Sequence, residues 1–221
     1  MITYLQAVNR VLVKLRQSQV STLNGADEYT SLIAAYVNEA KEEVEDAWRW
    51  STLQNTISIS LVGGQTDYSL TGSGENYELY DIWNVTNRWR IQGPFNSMFV
   101  NRNYILSTGQ GAPAYFDFHG QDANGDQVIR FQPTPATTGT IVNVYGYSKQ
   151  GYLSTTSDDS TRIKVPWKPV VYGAYAKAVS ERGEDGGVGF AEANAMYLQV
   201  LADAIAMDVR KEHESNDWYP S

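Results

Sequence analysis

Cysteine is absent from the 221 residues and histidine occurs only twice. The first absence removes disulfides, thiolate nucleophiles and Cys-ligated zinc or iron–sulfur centres. The second leaves His119 and His213, in different predicted segments, so a His-built metal site has no support. No run approaches the roughly 18 uninterrupted apolar residues of a membrane helix. The opening MITYLQAVNRVLVKLRQ lacks the apolar core and small-residue cleavage site of a secretory signal, and a soluble, unprocessed chain with no membrane partner is expected. Cations are scarce as well: 17 Lys+Arg against 25 Asp+Glu give a formal charge of -8. That balance opposes tight sequence-independent phosphate binding, which relies on neutralising cations.

The motifs of catalysis are also missing. No G-x-S-x-G nucleophile elbow occurs. RGEDGGVG, residues 182–189, lacks the spaced glycines and Lys-Ser/Thr pair of a phosphate loop and joins two predicted helices, so it reads as an interhelical turn. DANGDQ, residues 122–127, starts like an EF-hand loop but has Gln127 where glycine is required, and a type I′ hairpin turn at Asn124-Gly125 is the better account. Asp158-Asp159 reads as a solvated loop pair. The chain is expected not to be an enzyme and to hold no cofactor or metal.

What is present is aromatic and periodic, with 15 Tyr and 6 Trp. Ile2, Leu5, Val8, Leu12 and Leu15 recur at helical spacing, and Asn24, Gly25 and Asp27 supply turn and cap chemistry for a second helix from about Glu28 to Trp50. That helix carries an acidic face of Glu39, Glu42, Glu43 and Asp46, with Glu45 placed to pair with Arg49. The face reads either as a solvated surface or as a repulsive lining for a passage that carries polyanion. The period then changes to two. Ile57, Ile59 and Leu61 alternate with polar residues, Gly63-Gly64 signals a hairpin, and further short strands are punctuated by turn residues up to Tyr152. From Trp167 to Arg182 a helix with small residues on one face suits close packing, and a last helix runs from about Phe190 to Glu212.

The predicted class is α+β: a helical bundle built from both chain ends with an inserted antiparallel β module, a barrel or a sandwich. The segments are 1–53 and 161–213 for the two halves of the helical body, 54–160 for the β module, and 214–221 for a C-terminal tail. The tail, ESNDWYPS, is either an arm on its own domain or an anchor, since Trp and Tyr most often dominate interface energies.

Four stretches, LQAVNRVLVKLRQSQVSTL (5–23), YVNEAKEEVEDAWRWSTL (36–53), VPWKPVVYGAYAKAVSERGED (165–185) and YLQVLADAIAMD (197–208), resemble in order and spacing the head-to-tail adaptors of tailed phages, the tail tubular protein A type of short-tailed phages. The resemblance implies a structural virion protein of the neck, assembled in the host cytoplasm as a dodecameric ring. Its partners would be the portal protein, the next tail component (nozzle or tail tube), and DNA passing through the lumen without sequence-specific binding. By the same analogy Trp218, Tyr219 and Pro220 are portal-contact candidates. Trp83, Trp89 and Phe95 would face a neighbour, or else form β-module core. Glu39, Glu42, Glu43 and Asp46 are lumen-charge candidates. The competing reading is a carbohydrate- or receptor-binding β module on a helical stalk.

Overall fold

The computed structural model describes residues 1–95, 102, 109–182 and 188–213. The chain divides into two compact units, one of residues 1–53 and 150–221, the other of residues 54–149.

The first unit is helical. Helix α1 (Tyr4–Lys14) starts with a capping box: Thr3 Oγ1 accepts from Gln6 N at 3.2 Å and Gln6 Oε1 accepts from Thr3 N at 3.1 Å, so two orphan donors are satisfied reciprocally. Its Tyr4, Ala7, Val8, Val11 and Leu12 are buried. Residues distant in sequence complete this helix end, with Tyr4 N donating to Thr161 O and Ile163 N to Ile2 O. Asp159, expected only to solvate its loop, accepts from Thr22 Oγ1 at 2.6 Å and from Leu23 N at 3.2 Å.

Helix α2 (Glu28–Ala47) is capped by Asp27, whose carboxylate accepts from Thr30 N. It stops three residues earlier than its sequence predicts. Trp48 is extended, and Trp50 is buried with its indole N–H on Val44 O. Arg49 therefore stands beyond the helix, and the expected helical geometry for Glu45–Arg49 does not form. Glu45 instead turns inward beside Lys41, both side chains fully buried.

Helices α3 (Trp167–Arg182) and α4 (Val188–His213) complete the unit. The small-residue face of α3 does pack closely. A Cβ at Gly173 would lie 3.1 Å from Ala40 Cβ of α2 and 3.1 Å from the Tyr197 ring of α4. The C-terminal part of α4 is pinned by Asp208, which accepts from Ser51 N (2.8 Å), Ser51 Oγ (2.7 Å) and Lys211 Nζ (3.0 Å).

The second unit holds nine strands among the described residues: β1 (Gln54–Ser60), β2 (Asp67–Ser69), β3 (Glu78–Asn84), β4 (Trp89–Arg90), β5 (Gln110–Gly111), β6 (Tyr115–Gln121), β7 (Gln127–Gln132), β8 (Thr134–Pro135) and β9 (Ile141–Tyr147). They form an antiparallel sheet β1-β9-β3-β4, an antiparallel sheet β2-β7-β6 and a short parallel pair β5-β8. One core serves the unit, with Ile59, Ile82, Val142 and Val144 from the first sheet, Leu61 just beyond β1, and Tyr68, Phe116, Ile129 and Phe131 from the second sheet. The described strands do not close into a barrel.

Two turns differ from expectation. Gly63-Gly64 joins no hairpin, because β1 pairs with β9 and β2 with β7. Gly63 N binds Thr138 Oγ1, Gly64 N binds Pro135 O, and the chain crosses from one sheet to the other. The β6–β7 hairpin does form at Asn124-Gly125, but only Gly125 has positive φ, so the turn is not type I′. The Asp122 carboxylate holds the turn by accepting from Asn124 N and Asp126 N. This is side-chain turn chemistry that removes the need for a left-handed asparagine.

Burial raises the Glu45 carboxyl above its ordinary value against the opposing pull of Lys41. A raised folded pKa means that this group's contribution to stability is present below about pH 4.5 and is lost as pH rises through the folded value. Lys41→Met strands that charge and should lower unfolding stability by about 3–5 kcal/mol near neutrality. The loss relative to wild type should shrink in acid, and Lys41→Met/Glu45→Leu should recover part of it, as followed by denaturant unfolding. An undiminished loss in the double variant would place the effect on other Lys41 contacts.

Asp208 has the opposite sign. Burial acts to raise it, but the Ser51 and Lys211 hydrogen bonds outweigh burial and hold it below 3.8. Asp208→Asn should cost roughly 1–3 kcal/mol above pH 5, and the gap from wild type should close as pH falls below the carboxylate range.

Candidate assembly surfaces

Four carboxylates, Glu39, Glu42, Glu43 and Asp46, project from the exposed face of α2 as the spacing predicts. One cation serves two of them. Lys177 of α3 lies 3.2 Å from Glu39 and 2.7 Å from Glu43, so these acids also tie α2 to α3. Burial acts to lower the Lys177 pKa, but the two carboxylates outweigh it and hold the ammonium above its ordinary 10.5. Tyr36 adds a second tie by donating its hydroxyl proton to Glu181. Lys177 offsets part of the charge that Glu39 and Glu43 bring to this face.

The portal-contact candidates Trp218, Tyr219 and Pro220 lie outside the described residues, as do Gly183–Gly187 of the glycine-rich interhelical stretch.

An open groove of about 760 Å³ runs along α1 and α3 and reaches Val200 of α4. Arg10, Lys14 and Lys168 bring three cations to it, Val13 and Val171 line it with apolar surface, and among the described residues no carboxylate lines it. The Arg10 guanidinium sits 3.9 Å above the Trp167 ring, and Lys14 Nζ sits 3.9 Å from the Tyr172 centroid. Ring quadrupoles orient both cations without neutralising them, so their charge stays available to an incoming anion.

In the β unit the outer side of the four-stranded sheet is aromatic. Tyr80 lies 5.6 Å from Tyr147 and 6.3 Å from Tyr145 by ring centroid, and Gln54 Nε2 donates to the Tyr80 hydroxyl at 2.6 Å. Trp83 and Trp89 stand on the surface, 41% and 38% exposed, so neither is β-module core. Asp81 fixes the first, accepting from Trp83 Nε1 at 2.7 Å and from Arg90 Nε at 2.6 Å. Phe95 is half-buried, and its ring meets Tyr115 edge to face. His119 is exposed in β6 and sits 2.7 Å from Arg130 Nη2.

Sequence reasoning passed over Asn38, Lys41 and the Arg10/Trp167 stack. The signal for Lys41 was its position four residues after Val37 and three before Val44, inside the apolar stripe. Arg10 and Lys14, four apart on α1, mark one rim of the groove. Trp167, some 150 residues away, could be paired with them only by the fold.

A family model described as "SU10 adaptor protein" matches residues 2–220. No curated protein matches the chain. With the match running through both units, and in agreement with the resemblance to phage head-to-tail adaptors, the chain belongs to the SU10 adaptor protein family, a family of structural phage proteins.

Proposed function

We propose that this chain is the ring-forming head-to-tail adaptor of a tailed phage, assembled in the host cytoplasm and resident in the virion neck. The observation that carries this reading is the family match over residues 2–220, which takes in both units. In this role function lies in interfaces: subunit to subunit, one face to the portal protein, one face to the nozzle or tail tube. A dodecamer is the ring order that the likeness to short-tailed phage adaptors supports. Trp218, Tyr219 and Pro220 serve as the portal anchor.

The acidic ridge of α2 gives DNA passage a physical basis. Carboxylates lining a lumen repel phosphates over about 8 Å at physiological salt, so DNA transits without being held. Glu39, Glu42, Glu43 and Asp46 supply that charge, with Lys177 compensating part of it.

A second reading rests on the outer sheet face of Tyr80, Trp83, Tyr145 and Tyr147, whose rings and fixed polar neighbours suit a saccharide face. It predicts saturable glycan binding and indifference to the portal.

The deciding measurement is the mass of the purified protein, alone and with the portal protein of the same phage, with and without residues 214–221. A ring that forms with the full chain and is lost with the tail is expected. A species of unchanged mass in the presence of portal, together with glycan binding, would overturn the adaptor reading. Within assembled particles, charge reversal of the four α2 acids to Lys should slow DNA ejection while the ring mass is unchanged.

A further inference from the structure

The chain contains two Asn-Gly pairs, Asn24-Gly25 ahead of α2 and Asn124-Gly125 at the β6–β7 turn. An asparagine followed by glycine carries its own reaction. No Cβ shields the next backbone nitrogen, the peptide rotates easily, and that nitrogen can close on the side-chain carboxamide. Both pairs have the same local chemistry, so a difference between them comes from the fold.

At the first pair nothing holds the nitrogen. Asn24 and Gly25 are both exposed, and among the described residues neither the Asn24 carboxamide nor Gly25 N has a hydrogen-bond partner. The bonds of this turn lie on either side of it: Asn24 N on Thr22 Oγ1 at 3.1 Å and Ala26 N on Leu23 O at 3.2 Å. A Cβ at Gly25 would meet nothing within 4 Å, so the peptide has room to turn.

At the second pair the nitrogen is in use. Gly125 N donates to Asp122 O at 3.1 Å, and Asp122 Oδ1 accepts from Asn124 N at 2.8 Å and from Asp126 N at 3.0 Å. A Cβ at Gly125 would lie 3.2 Å from Glu75 Cγ, and the flanking strands pair as β6 and β7. Reaction there first requires local opening.

We propose that Asn24 is a site of spontaneous deamidation in the folded protein, and that Asn124 is protected by its turn. Gly25 N gives its proton to hydroxide and attacks Asn24 Cγ. The N–Cγ bond forms, the Cγ–Nδ2 bond breaks, and Nδ2 takes a proton from water and leaves as ammonia. Water then opens the five-membered imide. Opening at Cγ gives aspartate, and opening at the main-chain carbonyl gives isoaspartate, whose backbone runs through the former side chain. One water is consumed and nothing is oxidised or reduced. Either product adds a carboxylate to a chain of formal charge -8, two residues from Thr22, which already donates to Asp159. Isoaspartate also lengthens by one carbon the path from buried Leu23 to Asp27, the cap of α2. The reaction needs no partner and proceeds whatever the chain assembles with.

The test is peptide mapping by mass spectrometry of the full chain held at mildly alkaline pH, folded and in urea. Amide-to-acid conversion is followed at both asparagines. In the folded chain Asn24 should convert at least about fivefold faster than Asn124, the factor expected when one backbone hydrogen bond must open first. In urea the two rates should converge. Asp122→Ala, checked for folding by circular dichroism, should speed conversion at Asn124 and leave Asn24 unchanged. Equal rates in the folded chain would overturn the inference, as would an Asn24 that converts only in urea. The same ratio in urea as in the folded chain would also overturn it, because the fold would then contribute nothing. An Asn124 rate unmoved by Asp122→Ala would overturn the protection assigned to its turn.

Discussion

The helical unit depends on three buried polar side chains of α2 that bind backbone at residues 150–153. Asn38 donates through Nδ2 to Tyr4 Oη and Leu153 O, both at 2.9 Å, and accepts from Leu153 N at 3.1 Å. One turn on, Lys41 Nζ donates to Gln150 O at 2.6 Å and Gly151 O at 3.3 Å, with Glu45 3.4 Å away. Buried backbone groups outside regular structure need partners, and here side chains of a helix supply them. The same network fixes α1, since Tyr4 also donates to Ala34 O. The result is a site where the chain can re-enter the helical unit at one place only. A purely apolar α2 would pack as well but would not discriminate among registers of that returning segment.

The two kinds of surface follow from this division of labour. Interior polarity holds the helical scaffold, so its outer faces are free to be specialised: an acidic ridge on α2 and a cation-bearing groove on α1 and α3. The β unit is stabilised differently, by one apolar cluster shared between two sheets and by tight turns. Close approach matters there too, since a Cβ at Gly146 would lie 2.6 Å from Glu78 O. Its specialised face is the aromatic side of the four-stranded sheet, where Asp81 gives Trp83 a fixed orientation on open surface. A fixed, exposed tryptophan flanked by Tyr and Arg has the composition of an interface centre.

Much of this was legible in the sequence. Period 3.6 with Asp27 as cap located the start of α2, and period 2 with glycine punctuation separated the β residues from the helices. What escaped is what needs distance information. Strand partners were assigned to neighbours in sequence, whereas β1 takes β9, more than 80 residues away. The second helix read as running to about Trp50, yet it ends at Ala47, Trp48 is extended, and Trp50 satisfies its indole on the last turn of α2. Among the surfaces, the acidic face was visible because like charges repeat at helical spacing within one segment. The groove was hidden because its cations and rings come from opposite ends of the chain.

The bonds from Tyr4 to Thr161 and from Ile163 to Ile2 have a consequence for synthesis. The first helix leaves the ribosome early, but the groups that complete its start are translated some 160 residues later, after about 8 to 30 seconds at ordinary elongation rates. The strand pairings of residues 54–149 all lie within that interval. Emergence order therefore brings every strand of the β unit out ahead of Thr161 and Ile163, so its pairing partners are all present before the start of α1 can be completed.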